Sequence, residues 1–398
     1  MAPTILCLAS YEKGHDFMRE CAESGARVIL VTVEKLRDAP WPRDLLAELF
    51  LLPSFDNLEH VINAISYLAR TEHIARIVAL DEFDLEIAAA LREHLRVPGS
   101  GITATRAVRD KLAMRELADA AGIAVPAFTR ITNHGDVAAY LAATQGPWVL
   151  KPRTQASAIG IRKIHEPQEL WPALHALGDL ESHHLLERFV SGDVYHVDGI
   201  VAGGRVQFAE VHRYAEPPFD VMHEGGVFCT RTVERGCADE RALRRELDRL
   251  VRAVDVHDSA VHAEFICERD TGEFHFLEIA ARVGGAHISD MVYAATGVNL
   301  WREWARLELA VANGTHYTPR PPQRKHAGVL ISLARQEWPD MSAYDDVEVV
   351  WRIDKRHHAG LIVASADSER VQHLLDEYLQ RFRHDYFASM PAPDRATS

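Results

Sequence analysis

Two glutamates carry the sharpest chemical signal in this sequence. Glu264 lies in Val261-His262-Ala263-Glu264-Phe265, and Glu278 lies in Phe276-Leu277-Glu278-Ile279-Ala280. Both segments alternate strongly, and the turn Arg269-Asp270-Thr271-Gly272 joins them, so a β-hairpin is expected over Val261–Cys267 and Phe274–Ala280. Closing that hairpin brings the two carboxylates near one another on adjacent strands. Like charges placed there repel and are costly to bury. A bound Mg²⁺ relieves both problems, because it favours hard oxygen ligands. The bland alternative is a pair of solvent-facing strand residues.

Cations accompany the pair. Lys151 ends an apolar strand in Trp148-Val149-Leu150-Lys151-Pro152, where a core gives way to a cleft and a compact ammonium can hold a phosphate oxygen. Lys111 stands in Arg109-Asp110-Lys111-Leu112. Composition alone would make either lysine a solvated surface charge. After Lys151 comes a small-residue loop, Thr154-Gln155-Ala156-Ser157-Ala158-Ile159-Gly160. Loops of this type let backbone N–H groups approach phosphates, although a plain turn reads the same way. Arg282-Val283-Gly284-Gly285 follows Glu278 directly. Its guanidinium could clamp a phosphate or a carboxylate, and its glycines allow close backbone approach. An arginine paired only with a nearby glutamate is the competing reading.

These residues need a scaffold. Strand-like and helical patterns alternate from Thr4–Ala9 through Leu58–Leu68, Ile74–Leu80 and Leu85–Leu95, which points to a parallel α/β sheet. The first strand–helix turn, Ser10-Tyr11-Glu12-Lys13-Gly14, lacks the GxGxxG of a dinucleotide site. Pro98-Gly99-Ser100-Gly101 marks a boundary. A single long helix is expected over Thr105–Ala121, closed by Gly122. Between Leu185 and Val211, strand-like segments separated at Ser191-Gly192-Asp193 and at Ala202-Gly203-Gly204-Arg205 suggest antiparallel pairing. Thr318-Pro319-Arg320-Pro321-Pro322 reads as a linker before a final piece with strands near Val329–Leu333 and Leu361–Ala364 and a helix near Arg370–Arg381.

Composition bounds the function. The chain has 398 residues, enough for two or three domains, and carries a formal net charge of −14. That diffuse acidity argues against a nucleic-acid binder while leaving room for an anionic ligand held by a few local cations. The five cysteines are scattered without CxxC spacing, which fits reduced thiols rather than a disulfide framework or zinc site. The pairs His183-His184 and His357-His358 lack the spacing of a usual zinc motif. The first residues lack the basic flank and long apolar core of a signal peptide, and no apolar run reaches membrane-spanning length. A cytoplasmic protein with no membrane partner is expected.

In their order, these residues resemble the ATP-grasp superfamily, and within it the carboxylate–amine ligases, including L-amino-acid (dipeptide) ligases. The resemblance runs through Leu80-Asp81-Glu82-Phe83-Asp84, Arg109-Asp110-Lys111, Leu150-Lys151-Pro152, the Ser157–Gly160 loop, Leu186-Glu187-Arg188-Phe189-Val190-Ser191-Gly192 and the series Glu264, Glu278, Arg282. Each motif is weak singly, and it is their order that is specific. The resemblance implies an α/β and α+β multidomain ATP-grasp fold. A Rossmann-like N-terminal domain would span 1–104. The ATP-grasp domain would span 105–315, with subdomains near 105–185 and 186–315. A small C-terminal α+β subdomain would span 316–390, before a disordered tail at 391–398.

It also implies roles. Lys111 and Lys151 would contact ATP phosphates, and the loop around Ser157 to Gly160 would fold over them. Glu187, Arg188 and Val190 match a hinge that binds adenine, and Asp193 matches an acidic residue near the ribose. Glu264 and Glu278 would hold Mg²⁺, or Mn²⁺ in its place. Arg282, with Lys151 and Arg213, would act on the reacting groups. The segments around Arg213, His223, Glu224 and Gly285 would line an amino-acid pocket. Many relatives place an asparagine metal ligand two residues after the second glutamate; here that residue is Ala280, which leaves open whether one or two ions bind. The implied activity is ATP-dependent phosphorylation of a small-molecule carboxylate, followed by coupling to an amine. Homodimers are common in such families. Two alternatives stand beside it: a carboxylase or formyl-type enzyme of nucleotide biosynthesis, and an ATP-binding protein without turnover.

Overall fold

The computed structural model describes residues 2–155, 159–224 and 226–388, the side chains of 222–224 excepted. Four short apolar strands, β1 (Thr4–Ala9), β2 (Arg27–Val33), β3 (Glu48–Leu52) and β4 (Ile74–Ala79), form a parallel sheet in the order β3-β2-β1-β4. Successive residues serve opposite faces, so Leu6 and Leu8 pack with Val61, Ile65 and Leu91 from the helices Leu58–Leu68 and Leu85–Leu95. Ile5 and Cys7 on the other face join Trp304 and Leu307 of the helix Leu300–Ala312 in a core that continues to Ile200 and Ala260. That shared core ties the N-terminal sheet to the large sheet described below.

A four-stranded antiparallel sheet follows, made of β5 (Phe128–Arg130), β6 (Trp148–Pro152), β7 (Arg162–Ile164) and β8 (His184–Arg188) in the order β5-β8-β6-β7. The third sheet has eight strands: β9 (Gly192–Ala202), β10 (Arg205–Tyr214), β11 (Phe228–Thr232), β12 (Ser259–Glu268), β13 (Phe274–Ala280), β14 (His326–Leu333), β15 (Val349–Arg352) and β16 (His358–Ser365). Their order is β13-β12-β9-β10-β11-β14-β16-β15.

Two differences from the sequence expectation matter. The long helix expected over Thr105–Ala121 is two helices, Ile102–Arg106 and Lys111–Ala120. Asp110 breaks it, because its carboxylate accepts from the N–H groups of Leu112 at 3.0 Å and Ala113 at 3.4 Å and so caps a new helix. Lys111 thereby becomes the first residue of a helix rather than a mid-helix position.

Ser191-Gly192-Asp193 is not a hairpin turn, since β8 and β9 lie in different sheets and Gly192 already belongs to β9. A Cβ on Gly192 would come within 1.9 Å of the Cys267 carbonyl oxygen, so glycine serves strand packing at that position. The second turn does pair its strands, β9 with β10 across Gly203-Gly204.

The C-terminal strands continue the large sheet. Cys229 of β11 is the partner of Leu330 of β14, and the helix Ser368–Asp385 covers this end through Leu374, Tyr378 and Phe382. The tail 391–398 lies outside the described residues. No described helix is long and apolar enough to cross a membrane.

Candidate active site

The hairpin closes as its alternation requires, and its ladder sets Glu264 directly opposite Glu278. The Nζ of Lys111 lies 2.9 Å from the Oε2 of Glu278 and donates to the Gln155 carbonyl at 2.7 Å, so one ammonium joins the hairpin to the loop after β6. Burial works against the Glu278 carboxylate, yet the cation beside it holds its pKa below the usual range. Tyr214, at the end of β10, donates its hydroxyl to the Oε1 of Glu264 at 2.8 Å. Burial and the adjacent carboxylate raise the Tyr214 pKa well above the ordinary phenol value, so it stays a donor.

Behind this pair sits a buried charge cluster. The Nζ of Lys151 lies 2.5 Å from the Oε1 of Glu187 on the neighbouring strand β8. Arg115, with no exposed surface, approaches the other oxygen of Glu187 at 3.0 Å through Nη2 and donates to the Leu277 carbonyl at 2.5 Å through Nη1. Burial lowers the Lys151 ammonium to about 8 despite the attraction of Glu187, with Arg115 and Lys111 adding to the drop.

Arg282 reaches across to the N-terminal sheet. Its Nη2 stands 2.6 Å from the Oε2 of Glu82, whose other oxygen is 2.7 Å from the Nη1 of Arg109. Arg109 also donates to the Thr154 carbonyl at 2.7 Å. Burial alone would raise the Glu82 carboxyl, but Arg282, Arg109 and Lys111 outweigh it and hold it at about 2. Lys13 and Asp81 form a further ion pair beside it.

Beneath Glu264 the same sheet face carries a buried polar network. Asp198 receives His196 Nδ1 at 2.6 Å on one oxygen and His262 Nδ1 at 2.9 Å on the other. The Nε2 of His196 is 2.8 Å from the hydroxyl of Thr230, and His196 stacks on His212 with ring centroids 4.6 Å apart. Burial lowers the His262 imidazole, but Asp198 and Glu264 reverse that and raise it to about 10; in His196 burial prevails and lowers the pKa to about 3. A small apolar cluster of Val190, Val194, Tyr214 and Ile266 lies nearby, with Leu277 packed against it.

The architecture has relatives. Residues 144–290 match the ATP-grasp domain model. The L-amino acid ligase of Bacillus licheniformis has the same overall structure, with a TM-score of 0.75 over 97% of this chain and 99% of that one at 17% identity. The chain has the ATP-grasp fold. By sequence, the chain is 23% identical over 324 residues to the L-arginine-specific L-amino acid ligase of Bacillus subtilis, covering 75% of this chain and 77% of that protein. It is 26% identical over 220 residues to a D-alanine--D-alanine ligase of Cupriavidus metallidurans, covering 52% of this chain and 66% of that protein.

The fold brings Lys111, Lys151, Glu187, Glu264, Glu278 and Arg282 into one region, but not all the expected residues. Arg213 alternates with Tyr214 along β10 and so points away from Glu264. It pairs with Asp193 at 2.7 Å and lies over the Tyr195 ring, on the face covered by the helix Ala238–Ala253. Asp193 and Arg213 are thus each other's partners at the outer end of their strands rather than neighbours of the glutamates. Arg188 pairs with Glu268 at 2.7 Å. Its backbone N–H donates to the Ala127 carbonyl and that of Phe189 to Pro147, so neither is directed at a ligand; Val190 is buried in the apolar cluster.

Gly160 is at a left-handed φ of 73°, and a Cβ there would meet Pro152 at 2.9 Å, so glycine is the residue this bend accepts. Ser157 lies outside the described residues, and of His223 and Glu224 only the backbone is described, on the helix Pro218–Glu224. Gly285 has open space at its Cβ, whereas a Cβ on Gly284 would stand 2.7 Å from the Asp198 Oδ1. Gly284 is thus needed for packing within the protein, while the backbone at Gly285 is open.

Sequence reading gave no role to Arg115, Asp198 or His196, quoted Glu82 and Arg109 only within motifs, and placed Tyr214 only in a segment expected to line an amino-acid pocket. The signal available was polarity at strand positions otherwise apolar. His196 and Asp198, both fully buried, interrupt Val194-Tyr195-His196-Val197-Asp198-Gly199-Ile200 at period two.

The donor set suits a divalent ion. Two opposed carboxylates supply hard oxygens, and Ala280 adds none. A cavity of about 420 Å³ elsewhere, lined in part by Arg76, Arg92, Ser100 and Glu308, is not this site. There Arg76 is paired with Glu308 at 2.6 Å and Arg92 bonds backbone carbonyls, so its cations already have partners.

Proposed function

We propose that this protein is an ATP-dependent carboxylate–amine ligase. It would phosphorylate the carboxylate of an amino acid to an acyl phosphate and couple that to an amine, releasing ADP and phosphate. The observation that carries the reading is the opposition of Glu264 and Glu278 across one ladder, with Lys111 on Glu278 and Arg282 just beyond the end of the same strand. Similarity to an L-amino acid ligase over three-quarters of both chains supports the amide-forming branch.

Each group then has a task. Val190, Val194, Ile266 and Leu277 form an apolar cluster that would supply the surface on which a flat adenine ring packs. Lys151 and Lys111 present ammonium groups to phosphate oxygens. Magnesium held by Glu264 and Glu278 would offset charge on the transferring phosphoryl group. Arg282, steered by Glu82, presents a guanidinium that recognises a carboxylate or an acyl phosphate. A closed cleft keeps water from the acyl phosphate until the amine attacks.

Incubation of the protein with ATP, Mg²⁺ and pooled amino acids tests this. Phosphate release that requires two amino acids, with an amide product found by mass spectrometry, is the expected result. Release that needs bicarbonate or formate instead, or nucleotide binding without ADP formation in any pool, would overturn it.

A further inference from the structure

The ligase reading gives no task to the buried histidines, and one of them, His262, stands beside the hairpin glutamates. His262 is the Cα partner of Ala280 across the β12–β13 ladder and stands two residues before Glu264, on the same sheet face. The methyl of Ala280 offers no donor, so the imidazole is the polar group at this level of the hairpin. Its Nδ1 is fixed at 2.9 Å from Asp198 Oδ1. Gly284 packs against that contact so closely that a Cβ would lie 2.7 Å from the oxygen and 3.2 Å from the Nδ1. With Nδ1 committed to the carboxylate, Nε2 faces the Oε1 of Glu264 at 3.4 Å.

This is the arrangement by which proteins hold metal-binding imidazoles. The distal nitrogen gives its proton to a carboxylate, which fixes ring and tautomer, and the proximal nitrogen meets the ion. Two ligands about 2.1 Å from an ion and about 90° apart stand about 3 Å from each other. The separation of Nε2 from Glu264 needs only a small adjustment to reach that. His196 has no such freedom: its Nδ1 bonds Asp198 and its Nε2 bonds Thr230, so it braces the carboxylate instead.

We propose that His262 Nε2 is a ligand, beside Glu264, of the divalent ion that binds with nucleotide, and that Asp198 is the positioning residue that aims it. The inference rests on the ligase reading only in requiring a nucleotide-bound ion between the hairpin glutamates. Binding displaces any proton on Nε2. An imidazole among carboxylates moves the site's preference from Mg²⁺ toward divalent ions of the first transition series.

The test uses Mn²⁺ with ADP bound to the full chain, read by electron spin-echo modulation. Protein labelled with ¹⁵N-histidine is compared with unlabelled protein, which separates imidazole nitrogen from the nitrogens of adenine. The expected result is a nitrogen coupling that changes with the label and is lost in His262→Gln. Bound Mn²⁺·ADP with no label-sensitive coupling would overturn the assignment and leave the ligase reading intact; this arm needs no variant. A coupling that persists unchanged in folded His262→Gln would also overturn it. Mn²⁺·ADP that fails to bind wild-type protein would remove this inference together with the ligase reading.

Discussion

Lys111 and Glu278 meet at 2.9 Å although one opens a helix and the other stands in a hairpin far along the chain. That contact sets a cation against one of two facing carboxylates, with the other, Glu264, directly across the ladder. Replacing Glu278 with glutamine keeps the shape and removes the charge. Turnover should fall by at least about 100-fold, since altering even outer-shell partners of a metal ligand costs on the order of 10–100-fold. Phosphate release measures it, and near-normal activity in Glu278→Gln would contradict the metal assignment.

The buried cluster of Lys151, Glu187 and Arg115 should behave as a unit. Glu187→Gln leaves two cations facing each other without their shared carboxylate. Breaking a buried pair this way costs about 3–5 kcal/mol, and chemical denaturation should show a loss of that size. A loss below about 1 kcal/mol, the range of exposed pairs, would show that solvent reaches the cluster.

Glu82 links stability to acid. Its folded carboxyl sits at about 2, below the ordinary 4.5, so the ionised form favours the folded state. That contribution is fully present above about 4.5 and is lost as pH falls through about 2. At about 1.4 kcal/mol per pKa unit it amounts to about 3 kcal/mol. Wild type should therefore exceed Glu82→Gln in stability at neutral pH, with the gap narrowing between pH 4.5 and 2. A gap that stays constant across that window would refute the ion-pair account.

Arg282 depends on the same carboxylate for its aim. Arg282→Lys keeps the charge but loses the planar fork that meets Glu82 through both Nε and Nη2. The variant should fold and bind ADP like wild type, yet release phosphate about 10–100-fold more slowly. Equal losses in nucleotide binding and turnover would place Arg282 on the nucleotide rather than on the substrate carboxylate or its acyl phosphate.

Lys151 predicts a pH limit on nucleotide binding. The ammonium loses its proton near pH 8, so it is charged below that and neutral above. ADP affinity should weaken as pH rises through this value, approaching about tenfold per unit in the limit where binding requires the charge. Calorimetric titration at neutral and alkaline pH reads the slope, and Lys151→Met should flatten it. A slope unchanged in Lys151→Met would assign the titration to another group.

What could be read from sequence was local. The alternation on either side of Arg269-Asp270-Thr271-Gly272 defines β12 and β13, and pairing across a short turn leaves little choice of partner for Glu264. Lys151 at the end of an apolar run was legible for the same reason. The break before Lys111 was missed because helical periodicity runs through Asp110, and only the folded backbone shows that carboxylate capping a new helix. The face taken by Arg213 and Asp193 could not be read, because polar residues near strand ends look alike on either face. Which face they take depends on register, which an isolated strand does not specify.

The sequence by itself therefore determined the hairpin, the charged residues available to the site and the alternation that makes a layered α/β molecule. The tertiary structure decided which of those charges meet. Glu82 comes from the N-terminal sheet, Lys111 from a helix start and Asp198 from the centre of β9, and nothing in the chain between them encodes their distance to Arg282, Glu278 or His262. Side-chain periodicity fixes the side of an element on which a residue lies. Contact between elements is set by how the layers pack and by the few arrangements that leave no buried charge without a partner.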